Sequence, residues 1–311
     1  MVSVSDLFCG MGGLSYGFSV QGFDVKGYDI NKYSNDIFQI NNIGKFEQLN
    51  LDYTRVNSIT GLTDQLLSVN NNIDSDIIIG GPSCKPWSTV NITKRKKTHP
   101  DYGLVESFFR IINNNEPDIF LMENVPPIKN DGYYLRCINN IRKKYHVSNL
   151  EVSYDQFGAA TKRIRLITVG FKNRSPLEFI FKLIEEKHPP LTVRDAFNTI
   201  KDIKRGSLDH EWPNLKTINK YKKYYDEGKY GWYKLEWDKP APSFGNVMKT
   251  YILHPEEERV VSVREVMTIM GFPKKFIFPK YMGHTKKYQM IADVVSPKFS
   301  EICAKILKEM I

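Results

Sequence analysis

The stretch VSVSDLFCGMGGLSYGF, residues 2–18, begins as an apolar run, breaks at Gly10, Gly12 and Gly13, and closes in a helical pattern. A strand that runs into a glycine turn and leaves as a helix is the opening of a βαβ unit. Bare backbone in such a turn can approach a ligand closely, although the same turn also serves as a tight connection and nothing more. The lysine and Ser/Thr pair of a triphosphate-binding loop is absent from the spacing.

Working outward, the alternation repeats. FDVKGYD (23–29), SDIIIGG (75–81), PDIFLMEN (117–124) and RIRLITVGF (163–171) read as strands bounded by Gly, Pro, Asn or Asp, and LVESFFRIINNN (104–115) reads as a helix between two of them. Strands alternating with helices predict an α/β fold with a mostly parallel sheet and helices on both faces. Ligands of such sheets sit beyond the carboxyl ends of the strands. From 172 to 254 the alternation fades into a loop-rich stretch with Lys, Tyr and Trp interleaved. SVREVMTIMGFP (262–273) then resumes a helical pattern, and SPKFSEICAKILKEMI (296–311) reads as an amphipathic closing helix with Ser296 as cap and Pro297 in its first turn.

Composition narrows the class. With 41% hydrophobic and 25% charged residues the chain falls with soluble globular proteins, and no apolar run approaches the ~18 residues of a membrane span. The amino-terminal residues lack the layout of a signal peptide, so an intracellular, cytoplasmic protein is expected. Cys9, Cys84, Cys137 and Cys303 follow neither metal-ligand nor disulfide spacing, which predicts reduced thiols and no metal site. The net charge of +9 favours a polyanionic partner.

Four sets of residues carry candidate chemistry. Asp29 ends the second strand about 20 residues after the glycine turn, where an acid accepts hydrogen bonds from ribose hydroxyls; Asp52 is read as closing a third, weaker strand. Together they suggest an adenosine-containing cofactor. Cys84 follows Gly80-Gly81-Pro82, a turn that favours exposure at a strand end over burial, so it reads either as a structural thiol or as a nucleophile. Glu123 ends another strand before Pro126 and Pro127, as a solvated acid or as a neighbour of that thiol. Arg163 and Arg165 alternate along a strand, forming either an exposed basic edge or a paired site for an electron-rich group.

The order of these motifs resembles the cytosine-5 DNA methyltransferases of prokaryotic restriction-modification systems. DLFCGMGG (6–13) is similar to their cofactor loop, GGPSCKPWS (80–88) to the nucleophile motif, and YGLVESFFRII (102–112) to the helix after it. ENV (123–125) matches the acid motif, and RIRLITVGF the arginine motif. HPEEERVVSVREVMTIMGFP (254–273) and YQMIADVVSP (288–297) resemble the segments after the recognition region, the last of which packs beside the first. The resemblance implies a Rossmann-like methyltransferase fold that uses S-adenosylmethionine and leaves S-adenosylhomocysteine. It implies Cys84 as nucleophile, Glu123 as the group holding and protonating ring nitrogen 3, and Arg163 and Arg165 as stabilisers of the ring carbonyl oxygen. Cofactor contacts are implied at Phe8, Gly10, Gly12, Gly13, Asp29, Ile30, Asp52 and Pro82.

The implied domains are 1–171 (catalytic and cofactor-binding), 172–254 (target recognition) and 255–311 (returning to the first). KPWSTVNITKRKKTHP (85–100), with Lys94, Arg95, Lys96 and Lys97, would form a loop closing over a base flipped from double-stranded DNA; the implied enzyme is a monomer. The chain departs from the family pattern at Ser83, Lys85, Thr161 (commonly Gln) and Asp293 (commonly Asn). The related transfer-RNA branch carries a Cys-Phe-Thr that residues 172–254 lack, which favours DNA over tRNA. A non-catalytic nucleic-acid-binding relative would have no need of both Cys84 and Glu123.

Overall fold

A computed structural model describes residues 1–52, 73–88, 96–213, 227, 233–249 and 252–311. The strands β1 (Ser3–Leu7), β2 (Asp24–Asp29), β3 (Lys45–Gln48), β4 (Ile77–Gly80), β5 (Ile119–Asn124), β6 (His146–Ser153) and β8 (Ile164–Phe171) form one sheet in the order β3-β2-β1-β4-β5-β8-β6. The first five are parallel, while β8 runs antiparallel to both β5 and β6. The chain moves outward from β1 to β3 and then returns to the other side of β1 at β4. That reversal opens a crevice at the carboxyl ends of β1 and β4, the topological switch point where such sheets bind ligands.

Strand residues alternate between two apolar layers, as the pleat requires. Ile77, Ile79, Ile119 and Leu121 face α1 (Gly13–Val20) and the closing helix, whose Phe299, Cys303 and Leu307 are buried there. Ile78, Phe120 and Met122 face the opposite way, onto Phe108, Ile111 and Ile112 of α3 (Leu104–Asn115) and Tyr134 and Ile138 of α4 (Gly132–Ile141). Covering both faces explains why the central strands are continuous apolar runs. The other α-helices among the described residues are α2 (Tyr33–Ile40), α5 (Leu177–Glu185), α6 (Val193–Asn198), α7 (Val263–Ile269), α8 (His284–Asp293) and α9 (Pro297–Met310).

The sequence expectations hold for the element types and differ at the sheet edges. α3 covers the whole predicted helix, and Ser296 caps α9 by accepting the Phe299 N–H with Pro297 in the first turn. α7 begins at a reciprocal capping box in which Ser262 and Glu265 satisfy each other's backbone N–H groups. Strand β6 had no sequence signal: it is a half-exposed edge strand carrying Ser148, Asn149 and Glu151. Strand β3 stops at Gln48, and Asp52 sits in the following loop, where its N–H donates to Asn50 Oδ1 at 3.0 Å.

From 172 to 254, the inner face of α5, Phe179 and Leu183, joins the sheet's own core. Among its described residues are two short parallel pairs: β10 (Ala241–Pro242) on β7 (Thr161–Lys162), and β11 (Ile252–Leu253) on β9 (Tyr233–Lys234). Among the described residues no helix is long and apolar enough to cross a membrane.

Candidate active site

A cavity of about 480 Å³ opens at the switch point. Phe8 and Gly10 after β1, Asp29 and Ile30 at the end of β2, Asp52, Pro82 and Cys84 after β4, Glu123 in β5, and Arg163 and Arg165 all line it. Residues more than 150 positions apart thus meet because the parallel strands end, and the antiparallel β8 begins, at the same edge of the sheet.

Gly12 and Gly13 are not part of that lining. A Cβ on Gly12 would lie 2.8 Å from the Phe38 ring, and one on Gly13 would lie 2.2 Å from the Val295 carbonyl oxygen. These glycines let α1 pack against α2 and against the extended entry to α9, which leaves no room for a side chain at either position. The approach of Val295 to Gly13 is the junction of the last motif with the first. Gly10, at φ 55°, has nothing within 4 Å of a built Cβ, as a glycine facing open cavity should. Phe8 also adopts a positive φ, 60°, which is rare for a bulky residue and turns its ring into the cavity rim.

At the cofactor-side end, Asp29 accepts the Gly10 N–H at 2.8 Å and the Asn31 N–H at 2.7 Å. Burial pushes its carboxyl up despite those two bonds. Asp6, in the middle of the apolar run of β1, carries no sequence signal of a site. It is fully buried and lines the cavity. One oxygen accepts from Ser15 Oγ at 2.5 Å, and Oδ1 has no partner. Burial raises this carboxyl to about 7. Helix α8 contributes Lys286, Gln289 and Asp293, and Gln289 Nε2 holds Asp293 at 2.9 Å.

At the other end, neither arginine forms an exposed edge and Glu123 is not a solvated acid: Glu123 and Arg165 are 7% exposed and Arg163 3%. Arg165 Nε contacts Glu123 Oε1 at 2.7 Å. Arg163 donates to the Ala292 carbonyl at 2.7 Å and to the Phe244 carbonyl at 3.4 Å, while its Nε is buried without a partner. Burial and the neighbouring Arg165 pull this guanidinium down to about 10, which leaves it cationic at neutral pH. Asn124, beside Glu123, donates to the Pro82 carbonyl at 2.9 Å and so ties the end of β5 to the turn before Cys84.

Cys84 sits half-buried at the start of a short turn, its carbonyl accepting the N–H groups of Trp87 and Ser88. Burial pushes the thiol above its ordinary value; Arg165 pulls it back, Glu123 adds to the rise, and Arg163 again opposes. Ser83 donates to Asp101 at 2.8 Å, joining the two ends of the segment 84–100. Lys94 and Arg95 of that segment lie outside the described residues, as does the side chain of Lys96. Thr161 is buried and donates to the Pro242 carbonyl at 3.3 Å, so its hydroxyl secures the β7–β10 pair. Among the described residues no group of His, Cys, Asp or Glu could hold a metal ion.

A family profile described as C-5 cytosine-specific DNA methylase matches residues 2–309. The chain belongs to that family. Members of this methylase family with similar sequences include the type II methylase M.HgiDII of Herpetosiphon aurantiacus, 28% identical over 99% of this chain and 96% of its own. Another is the type II methyltransferase M1.HphI of Haemophilus parahaemolyticus, 26% identical over 98% of this chain and 86% of its own. Among solved structures, the Dnmt2 methyltransferase of S. pombe superposes with a TM-score of 0.70 at 17% identity, covering 100% of this chain and 99% of that one. At that identity the superposition speaks for the methyltransferase fold alone.

Proposed function

We propose that this methylase transfers a methyl group from S-adenosylmethionine to carbon 5 of a cytosine flipped out of double-stranded DNA, through a covalent bond to Cys84. The observation that carries the reading is the convergence of Cys84, Glu123, Arg163 and Arg165 on the same cavity as Gly10 and Asp29. The lining fits the cofactor. Asp29 lines the cavity and would accept from the ribose hydroxyls, Asp293 would offer negative charge to a group bearing an ammonium and a sulfonium, and the unpartnered Asp6 Oδ1 would be completed by a donor on the same ligand. When bound, S-adenosylmethionine supplies the electrophilic methyl group.

The protein's own residues do the rest. A base inside a duplex is out of reach of a strand-end thiol, so the cytosine must leave the stack. Glu123 holds and protonates ring nitrogen 3, which draws electrons from the ring. Arg165, and Arg163 through its unpaired Nε, neutralise charge building on the carbonyl oxygen. The Cys84 thiolate then adds to carbon 6, forming the C–S bond and placing the electron pair on carbon 5. Once carbon 5 is methylated, loss of its proton to a base returns the pair to the ring, the C–S bond breaks to release the thiolate, and ring nitrogen 3 gives its proton back to Glu123. Burial keeps Cys84 a protonated thiol in the free enzyme, and its proton passes to solvent as the thiolate forms and adds to carbon 6.

The same reading assigns 1–171 to cofactor and catalysis, 172–254 to target recognition and 255–311 to the return onto the first segment. It makes the enzyme a cytoplasmic monomer of the restriction-modification type. The test is transfer of labelled methyl from S-adenosylmethionine into unmethylated duplex DNA and, in parallel, into bulk tRNA, with Cys84→Ala as control. Label in DNA that disappears with Cys84→Ala is expected. Label in tRNA alone would move the substrate to RNA, and label surviving Cys84→Ala would remove the nucleophile.

A further inference from the structure

One buried titratable group at the site has no part in the chemistry above. Tyr154 is fully buried. Its main chain is pinned on both sides: its N–H donates to the Arg163 carbonyl at 3.2 Å, and its carbonyl accepts from Phe157 and Ala159 at 3.0 and 3.1 Å. Its ring packs on Phe299 of α9 with centroids 5.4 Å apart. Its hydroxyl reaches across to Glu123 Oε1 at 3.3 Å. The same oxygen takes the 2.7 Å contact from Arg165 Nε. The Arg165 ion pair and the Tyr154 hydroxyl, which donates the hydrogen bond, therefore converge on Oε1, while Oε2 lies beside Gly81, where a Cβ would come within 3.4 Å of it.

The terminal torsion of a glutamate is broad and nearly two-fold, so a single anchor leaves the carboxyl plane free to swing. A second donor from another direction removes that freedom. We propose that Tyr154 is a positioning residue which locks the Glu123 carboxyl with Oε1 turned inward, so that Oε2 is the oxygen presented to the cytosine ring. The proposal rests on the reading of Glu123 as the ring-nitrogen partner. Burial and the Glu123 charge keep the phenol protonated at neutral pH, so it serves as a constant donor. A tyrosine needed only to fill the core would lose little when replaced by phenylalanine, which keeps the ring on Phe299; a positioning tyrosine loses rate.

The test compares Tyr154→Phe with the parent enzyme in single-turnover methyl transfer to duplex DNA. Equilibrium binding of S-adenosylhomocysteine, KM for DNA and melting temperature are measured beside it. At 3.3 Å the hydroxyl contact is long, so the rate is expected to fall about fivefold, the size of an ordinary net hydrogen bond and less than that of a short bond to a charged acceptor, with binding and KM unchanged. In a Glu123→Gln background the same change should leave the residual rate within about twofold, because residues acting through one another are not additive. A parental rate in Tyr154→Phe, or the same fivefold loss in both backgrounds, overturns the proposal. A fully active Glu123→Gln enzyme instead overturns the reading of Glu123. Should Tyr154→Phe fail to fold, Phe299→Leu, which unseats the ring while keeping the hydroxyl, must lower the rate at unchanged KM; a parental rate there also overturns it.

Discussion

Among the described residues two buried arginine–glutamate pairs occur, and they are finished differently. Arg259 and Glu265, 8% and 3% exposed, face each other through two contacts of 2.8 Å. Glu265 also takes the Ser262 N–H at 2.6 Å, and Arg259 adds two 2.9 Å contacts to Glu257. That pair is satisfied on every side and stitches α7 to the chain before it. Arg165 and Glu123 are buried to a similar degree, yet they share one contact, Glu123 keeps Oε2 open beside Gly81, and the adjacent Arg163 holds an unpaired Nε. Leaving buried polar groups unpaired costs free energy, so it persists where something else completes them. Full satisfaction marks the structural pair, and incomplete satisfaction marks the working one.

The comparison can be broken most sharply at the two glutamates. Glu123→Gln should lower methyl transfer by roughly 10²-fold or more while moving the melting temperature little, as expected for loss of a positioned proton donor. Glu265→Ala should do the reverse: it strands Arg259, and denaturant titration should show a loss of roughly 3–5 kcal/mol. Equal loss of stability in both variants would erase the distinction. Next in size, Gly13→Ala forces a Cβ to 2.2 Å from the Val295 carbonyl; overpacking of this kind costs roughly 1–3 kcal/mol, measurable by the same titration. A parental midpoint would mean that the first and last motifs do not pack as described.

Asp6 sharpens the comparison through pH. Its native carboxyl sits near 7 against an unfolded value of 3.8, so between those values the native state binds the extra proton. Stability contributed by the neutral acid is present at low pH and lost as pH rises from about 4 through 7. Asp6→Asn should flatten that slope relative to the parent in melting curves taken across the window, and an unchanged slope would deny the burial assigned to Asp6. Smallest is the effect on Cys84 in the free enzyme. Its raised pKa predicts slow alkylation by iodoacetamide at pH 7, accelerating above the range of an ordinary thiol. Rapid alkylation at neutral pH would show a thiolate already formed.

The site was legible in the sequence where function coincides with strand ends. Cys84, Glu123 and Asp29 each follow or end an apolar run, and the turn residues beside them announced exposure to a shared crevice. Helices with strong periodicity, α3 and α9, were equally plain. What stayed hidden depends on contacts distant in sequence. Tyr154 meets Glu123 across 31 positions, and Asp6 is recognisable as a cavity residue only once the fold leaves its Oδ1 unpaired. At Gly12 and Gly13 a glycine reports close approach without saying to what, and the packing of Phe38 and Val295 against their Cβ positions was invisible in the sequence. Strand β6 escaped because an edge strand with one wet face has no apolar run to display.

The central claim, that Cys84 attacks carbon 6 of a cytosine in DNA, is tested most directly by trapping. Duplex DNA carrying 5-fluorocytosine in its target site, incubated with the enzyme and S-adenosylmethionine, should yield a protein–DNA adduct that survives denaturation, because the fluorine cannot leave as the proton does. Peptide mass spectrometry should place the adduct on Cys84, and Cys84→Ala should form none. An adduct mapping elsewhere, or methyl transfer that proceeds unhindered in Cys84→Ala, would contradict the account.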